Sequence, residues 1–527
     1  MSEDETDQLV LAWQGIQELD PSDENSFFRL GGFHGEPFRG AGWGTSAYWG
    51  GYCNHGNVLF PTWHRLYLLK LENALRGIEG CEDVRLPYWD ETGAATREHG
   101  VPEIFTKKDY TFSDGRTIPN PLYSYTFQQA IVDHLAPVPD ANYSKPVGYE
   151  TVRYPLSGLV GTDEDRKATE KHNDKYRDEA VSLLNKNVVA WLTRGFQGEG
   201  RRRGPIHQQY VDCLYAPNYT VFSNTTSAAA WNDTHPPVVP LESPHNSMHL
   251  AVGGFDLPHQ NFSTIRGANG DMGENDTAGF DPIFYFHHCF VDLVFWLWQK
   301  KHGATTGLEI MPEYPGTNTV DNQGPTPGVA PNAWLTDTSP LDPWKKADGT
   351  PYTSRDCVDI TRLGYDYDYD GELAHLPDRR DADAAPTRAI HVRGIDRTKV
   401  KGSFLISAVA EVDGEQHHLG TEAVLSRWHV EGCANCQNHL RSSAVIPLPP
   451  DLVGSDGERA LAADGGVTLK VQLRTHEPTP VEGPHTLTRT DAGTLATPRT
   501  LAVDETEAPV PFYAEVRPIP TDGRTDA

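Results

Sequence analysis

The sequence predicts a mainly α-helical domain with long loops followed by a smaller antiparallel β-sandwich, and three observations carry that fold class. At 527 residues the chain is long enough for more than one hydrophobic core. Between about Gln14 and His302, helical, aromatic-rich stretches alternate with long loops. After Ala389 the period becomes two: Val467, Leu469, Val471 and Leu473 alternate with Thr468, Lys470, Gln472 and Arg474, the pattern of a half-buried strand. The expected domains are 1–371 and 389–527. The linker between them, 372–388, contains the polar run HLPDRRDADAAPTR.

Taken in order, residues 1–8 (MSEDETDQ) read as a frayed acidic arm, and Gly32 to Phe38 is a Gly-rich stretch around His34. Counted from His64, the residues Leu68, Leu71, Leu75 and Ile78 fall on one face, so His64 opens an amphipathic helix and points into the core. His245 and His249 lie one turn apart on one side of a helix. Asp281 and Pro282 start another as N-cap and first helical residue, and its apolar run to Trp298 demands burial. Thr305 to Asp356 is dense in Gly, Pro, Thr and Asp and reads as irregular structure wrapped on a core, leading to the tyrosine-rich Leu363–Tyr369. Past the linker, Ser403–Val412, Ser442–Leu448 and Val510–Val516 read as further short strands of the sandwich.

The net charge of −28 and pI near 5.1 exclude nucleic acid as a partner, which needs a basic footprint. An acidic surface suits either a high-salt cytoplasm or an ordinary acidic enzyme. No run approaches the ~18 apolar residues of a membrane span, and the acidic N-terminus lacks the apolar core of a secretion signal. The cytoplasm is therefore the expected location, with export by another route left open. On that basis the sequons at Asn142, Asn218, Asn224, Asn232, Asn261 and Asn275 read as chance. Seven cysteines in this length are no disulfide scaffold.

The chemistry lies in histidines: His34, His55 and His64 upstream, His245, His249 and the pair His287-His288 downstream. A histidine on the buried 281–298 helix is desolvated and needs a partner. Imidazole ligation without carboxylate or thiolate suits copper, and two triplets suit a copper pair.

At this point the chain resembles the type 3 copper proteins, which comprise tyrosinases, catechol oxidases and molluscan-type haemocyanins. The resemblance spans roughly residues 27–302 through His55–Glu72 and Asp281–Asp292, and Leu363–Tyr369 looks like that family's closing tyrosine motif. It implies a four-helix bundle around a dinuclear copper site, with His34, His55 and His64 on one ion and His245, His249 and His288 on the other. The choice of His288 agrees with periodicity: it shares a face with Phe284 and Asp292, while His287 is turned by about 100° and reads as a supporting or core residue. Cys53-Asn54-His55 matches an element that in relatives forms a thioether between Cys53 and His55. Arg65 and Asp292, next to their ligands, are expected to form a buried pair bracing the site. Leu293 departs from the usual Arg, which removes one peripheral brace.

By this resemblance the expected activity is that of the tyrosinase branch: ortho-hydroxylation of monophenols and oxidation of o-diphenols to o-quinones with O2. Asn246 and Glu242 match a pair that in tyrosinase-like members holds a water taking up the phenol proton. Leu250, where some relatives carry Arg, predicts a preference for uncharged phenols. The partners implied are phenolic small molecules and O2, with neither nucleic acid nor membrane and with a homo-oligomer left open. Cys433-Ala-Asn-Cys436 suits cuprous-ion binding, as in copper-loading elements of some fungal relatives, or a redox disulfide; the alternative is a local turn-stabilising bond or free thiols. In relatives with such an extra domain, that domain can cover the copper site, and whether this one does so is left open. Rival readings are a diphenol or aminophenol oxidase, a haemocyanin-like oxygen carrier, and a copper-storage protein that leaves the histidines unexplained.

Overall fold

The computed structural model describes residues 1–38, 50–134, 143–193, 205–257, 265, 267–317, 329–330, 332–378, 388–412, 415–433, 436, 439–448, 467–476, 485–486, 488–489, 495–496, 510 and 512–519. Helix α1 (Glu3–Glu18) begins where the sequence suggests a frayed arm. Ser2 accepts from the Glu5 N–H while the Glu5 carboxylate accepts from the Ser2 N–H, a reciprocal capping box. Glu3, Asp4 and Glu5 fill the first turn, where the helix dipole favours acids. Asp7 accepts from the Tyr110 hydroxyl at 2.6 Å and from the Ser113 hydroxyl and N–H. The arm is thus a docked helix: its acids are caps and long-range acceptors, which charge content alone does not reveal.

Helix α2 (Phe27–His34), capped by Ser26, delivers His34 at its last residue. Helices α3 (Phe60–Arg76), α4 (Ala180–Thr193), α5 (Pro205–Cys213), α6 (Glu242–Gly253) and α7 (Ile283–His302) build the surroundings of the site. α7 packs on α3 and α6, α6 also on α4 and α5, and α1 on α2 and α3. α7 is buried from Ile283 to Gln299, as its all-round apolarity requires. Its start is held by Asp281, which accepts from the Ile283 N–H and pairs with Arg153 at 2.6 Å. Its end is Gly303 in the left-handed region (φ 68°) after Lys300, Lys301 and His302. Among the described residues, no helix is long and apolar enough to cross a membrane.

The described part of 332–378 includes a short ribbon on this core, Pro340–Lys345 against Pro351–Thr353. The opening of the expected linker is docked: Leu373 is buried and Glu372 pairs with His207 at 3.0 Å. Residues 379–387 of that linker lie outside the described residues.

The C-terminal part forms two antiparallel sheets from β1 (Arg388–Asp396), β2 (Phe404–Val412), β3 (Glu415–Val424), β4 (Arg441–Pro447), β5 (Val467–Thr475) and β6 (Tyr513–Pro518), with two-residue strands at the edges. One sheet runs His485–Thr486, β5, β2, β3; the other runs Thr488–Arg489, Leu495–Ala496, β6, β1, β4. Ile390, Phe404, Ile406, Ile446, Leu469 and Val516, drawn from both sheets, share one apolar cluster. The last strand starts at Tyr513, three residues later than expected from Val510. Two strands escaped the alternation test for physical reasons. β1 is central, paired on both edges, and carries the continuous buried run Ala389–Val392. β3 is polar because it packs on α6 rather than facing solvent.

At that junction the Ser243 hydroxyl donates to Glu422 at 2.7 Å. Burial, aided by Glu242 nearby, pushes the Glu422 carboxyl up to about 7. A carboxyl raised in the docked state stabilises docking fully below its ordinary range, and that contribution is lost as pH rises through about 7. Glu422→Gln is therefore expected to raise the Tm of the protein at pH 8 by about 2 °C or more while changing it little at pH 5. An equal shift at both pH values refutes the assignment.

Candidate metal centre

The two histidine triplets, separated by some 180 to 250 positions in sequence, meet between the helices. α2 ends in His34, and α3 places His64 one turn inside its N-terminus. His55 lies on the loop before α3, where Asn54 takes a left-handed φ of 52° that asparagine tolerates. Gly51 also takes a positive φ (68°), and a Cβ there would run into the His34 carbonyl.

Within the upstream triplet the ring centroids lie 5.3 to 5.6 Å apart. In the other, His245 is 4.5 Å from His249 and 4.8 Å from His288, and His249 is 5.6 Å from His288. The triplets face each other: His64 stacks on His288 at 4.4 Å, and His55 lies 5.2 Å from His245. One ring nitrogen from each upstream histidine lies within 4.8 Å of the others, and the same holds for His245, His249, His287 and His288.

These nitrogens fit a metal. The Nδ1–H of His64 donates to the Phe60 carbonyl (2.9 Å), that of His249 to the Met272 carbonyl (2.7 Å), and that of His245 to the Asn246 side-chain oxygen (2.9 Å). Each tautomer is thereby set, leaving the Nε2 lone pair facing inward. The Nε2 atoms of His245 and His249 lie 3.2 and 3.4 Å from that of His288. One N–H cannot satisfy two such lone pairs at once, whereas a cation among them can. Both nitrogens of His55, the Nε2 of His64 and the Nδ1 of His288 have no hydrogen-bond partner among the described residues, and all of these rings are buried. Orphaned buried acceptors cost free energy unless something binds them. Burial also lowers the affinity of every one of these imidazoles for protons, taking His64 down to about 3 against the opposing Phe60 carbonyl. They are neutral at pH 7 and hold their lone pairs ready. The donor set is all nitrogen, the preference of copper and its neighbours rather than of magnesium or calcium.

Around the rings, Phe284 packs on His288 at 4.1 Å. Arg65 and Asp292 form a fully buried pair at 2.6 Å, and Arg65 also donates to Gln299 and to the Cys357 and Val358 carbonyls. The tyrosine-rich segment serves this pair: Tyr365 and Tyr367 hydroxyls both donate to the second Asp292 oxygen at 2.7 Å. His287 sits 5.3 Å from His245 and 4.9 Å from His249, with its Nδ1 2.5 Å from Glu91, which also accepts from Tyr210. Glu91 lies 196 positions from His287 in sequence, and no local signal marks it.

Glu242 accepts from the Gly56 N–H, beside His55, and from the Thr225 N–H and hydroxyl. Its carboxyl is raised by burial and lowered by those donors. Glu242 and Asn246 are both buried, one helical turn apart on α6, and each already pins a ligand-bearing segment. Cys53 is a buried thiol.

The β part reaches over the site. Arg427 donates to Asp276 at 3.0 Å, to the His34 carbonyl at 3.4 Å and to the Gly50 carbonyl, with the Cys53 sulfur 3.9 Å away. His439 presses against Gly56 (φ 74°), where an added Cβ would meet its Nδ1 at 2.5 Å. Cys433 and Cys436 are bonded to each other in a disulfide. A cavity of about 10 Å³ beside His64 and His288, walled by Phe60, Pro61, Val291 and Phe295, holds about one water and no phenol.

A family model, the common central domain of tyrosinase, matches residues 24–301. A tyrosinase of Aspergillus oryzae is 49% identical over 480 residues, which is 85% of this chain and 87% of that one. A tyrosinase of Hahella sp. is 51% identical over 471 residues, 84% of each chain. The solved tyrosinase from Burkholderia thailandensis at low pH is 47% identical, covers 89% of this chain and 91% of its own, and aligns with a TM-score of 0.76. With two facing sets of neutral imidazoles and relatives matched over most of its length, the chain belongs to the tyrosinase family of dinuclear copper oxidoreductases.

Proposed function

We propose that the chain ortho-hydroxylates monophenols and oxidises o-diphenols to o-quinones with O2, with His34, His55 and His64 holding one copper and His245, His249 and His288 the other. The observation that carries this reading is the convergence of six neutral rings whose inward nitrogens lack hydrogen-bond partners or crowd one another. A copper pair held there supplies the binding and reduction of O2. The net change is a phenol plus O2 giving an o-quinone plus water.

The protein's part is orientation and proton transfer. Phe60, Met272 and Asn246 fix ring tautomers, and Glu91 and Tyr210 fix His287 behind the second triplet. The Arg65–Asp292 pair ties the helix of His64 to the helix of His288. Asn246 and Glu242 together hold the water that takes the phenol proton, and Leu250 keeps the pocket apolar toward uncharged phenols. A Cys53–His55 thioether, compatible with the left-handed turn at Asn54, would lock the His55 ring. The two sheets are proposed to pack as a sandwich domain, 389–527, that acts as a lid on the 1–371 domain. The contacts of Arg427 and His439 with the His34 and His55 segments support that reading. A copper-loading role for Cys433 and Cys436 would require opening their disulfide to the dithiol.

A diphenol-only oxidase is favoured by one observation: Glu242 and the Asn246 oxygen are already engaged by other partners. Asn246→Gly decides between the two. If Asn246 helps hold the proton-accepting water, kcat/KM for a monophenol falls about tenfold or more relative to that for the matching catechol. Equal losses on both substrates would reduce its role to orienting His245.

A further inference from the structure

We propose that Asp271 is a positioning residue for the copper held by His245, His249 and His288, acting through the Met272 carbonyl that orients the ring of His249. The inference rests on the assignment of His249 to that copper. Met272 lies in the short turn Asp271–Gly273, and its carbonyl takes the His249 Nδ1–H at 2.7 Å. Whatever fixes this turn therefore fixes which nitrogen of His249 faces the metal.

A single 3₁₀ turn has too few internal bonds to define its own position. Asp271 supplies the missing ties. Its Oδ2 accepts from the Tyr149 hydroxyl at 2.5 Å and from the Val152 N–H at 2.9 Å, and its own N–H donates to the Val152 carbonyl at 2.9 Å. Its Oδ1 faces the Lys145 ammonium at 3.2 Å, and both side chains are wholly buried. Lys145 is held in turn by the Gly158 carbonyl at 2.5 Å and by the face of the Tyr149 ring, 4.3 Å from its centre.

The 145–158 segment is itself tied to α6, the helix that carries His249. The Tyr154 N–H donates to the Val252 carbonyl at 2.8 Å, and the Gly270 N–H donates to the Gly253 carbonyl at 2.6 Å. Gly253 and Gly273 lie backbone to backbone, so close that a Cβ on Gly253 would overlap the Gly273 nitrogen. The turn, the segment and the end of α6 thus form a closed frame with His249 inside it. A buried ion pair adds little net stability over apolar side chains of equal volume, because both charges are stripped of water. What it adds here is one defined place for the carbonyl, since a displaced turn would leave Asp271 and Lys145 buried and unpaired.

If the frame loosens, the Met272 carbonyl withdraws and the buried His249 Nδ1–H loses its acceptor. The ring then rotates or shifts its proton to Nε2, and that nitrogen no longer offers a lone pair. His64 takes its orientation from the Phe60 carbonyl instead, so the copper of the upstream triplet is spared.

The test measures both copper affinities of the full-length protein by chelator competition, below its unfolding temperature. Asp271→Asn keeps the shape and removes the charge. In that variant the copper of the downstream triplet should bind about tenfold or more weakly, while the other changes by less than about twofold. Tyr149→Phe, which removes one hydroxyl, should show the same selectivity with a loss of about threefold. A purely structural role would weaken both coppers alike or neither, and either result overturns the proposal. Should Asp271→Asn fail to fold, Tyr149→Phe decides by the same criterion. Wild-type protein that does not take up two coppers would refute the ligand assignment itself, which keeps the two failures apart.

Discussion

His288→Phe is expected to abolish oxidation of both monophenols and catechols and to lower bound copper from two ions per chain toward one, with the fold retained. His288 is the hinge of the centre. Its Nε2 lies 3.2 and 3.4 Å from those of His245 and His249, and its ring stacks on His64 at 4.4 Å. Removing it opens one set of ligands and also the face between the two sets. Phenylalanine fills the same buried slot beside Phe284 without demanding a hydrogen bond, so loss of chemistry is separated from loss of folding. Metal analysis and oxygen uptake check the result. Retention of two coppers and of catechol oxidation would remove His288 from the ligand set.

Asp292→Asn should carry the largest stability cost of any single change near the site, about 3–5 kcal/mol. Arg65 is wholly buried, and its charge faces Asp292, two carbonyls and the Gln299 side chain. Neutralising the acid leaves the guanidinium buried with only dipoles around it. Tyr365 and Tyr367 at the same time lose the anionic acceptor for both hydroxyls. Denaturant unfolding should show the loss, and pairing the change with Arg65→Met should recover part of it, since removing both charges leaves none unpaired. A loss below about 1 kcal/mol would mean the pair contributes little.

Much of the site was legible because its information is local. The i, i+4 spacing of His245 and His249, the apolar face running from His64, and the shared face of Phe284, His288 and Asp292 are properties of short segments. So is the period-two run at 467–474, which forms β5. Where local pattern misled, a partner far away in sequence was responsible. Tyr110 and Ser113, about a hundred positions away, dock the acidic arm as a helix, and the polarity of β3 reflects its packing on α6.

The residues that no pattern marked are those defined by tertiary neighbours alone. Glu91 matters through His287, and Arg427 through Asp276 and the His34 carbonyl, 393 positions away. Glu242 and Asn246 were legible as residues, but their hydrogen-bond partners, Gly56, Thr225 and the His245 ring, follow from packing.

By itself, the sequence singled out the histidines able to offer nitrogen and the helical faces of His64, His245, His249 and His288, since side-chain chemistry and helical period are written in residue type and spacing. The tertiary structure alone decided that the triplets face one another, that the tyrosine segment braces Asp292, and that Arg427 and His439 contact the segments carrying His34 and His55. Those facts depend on contacts across hundreds of residues, which form only when separate amphipathic faces are buried together.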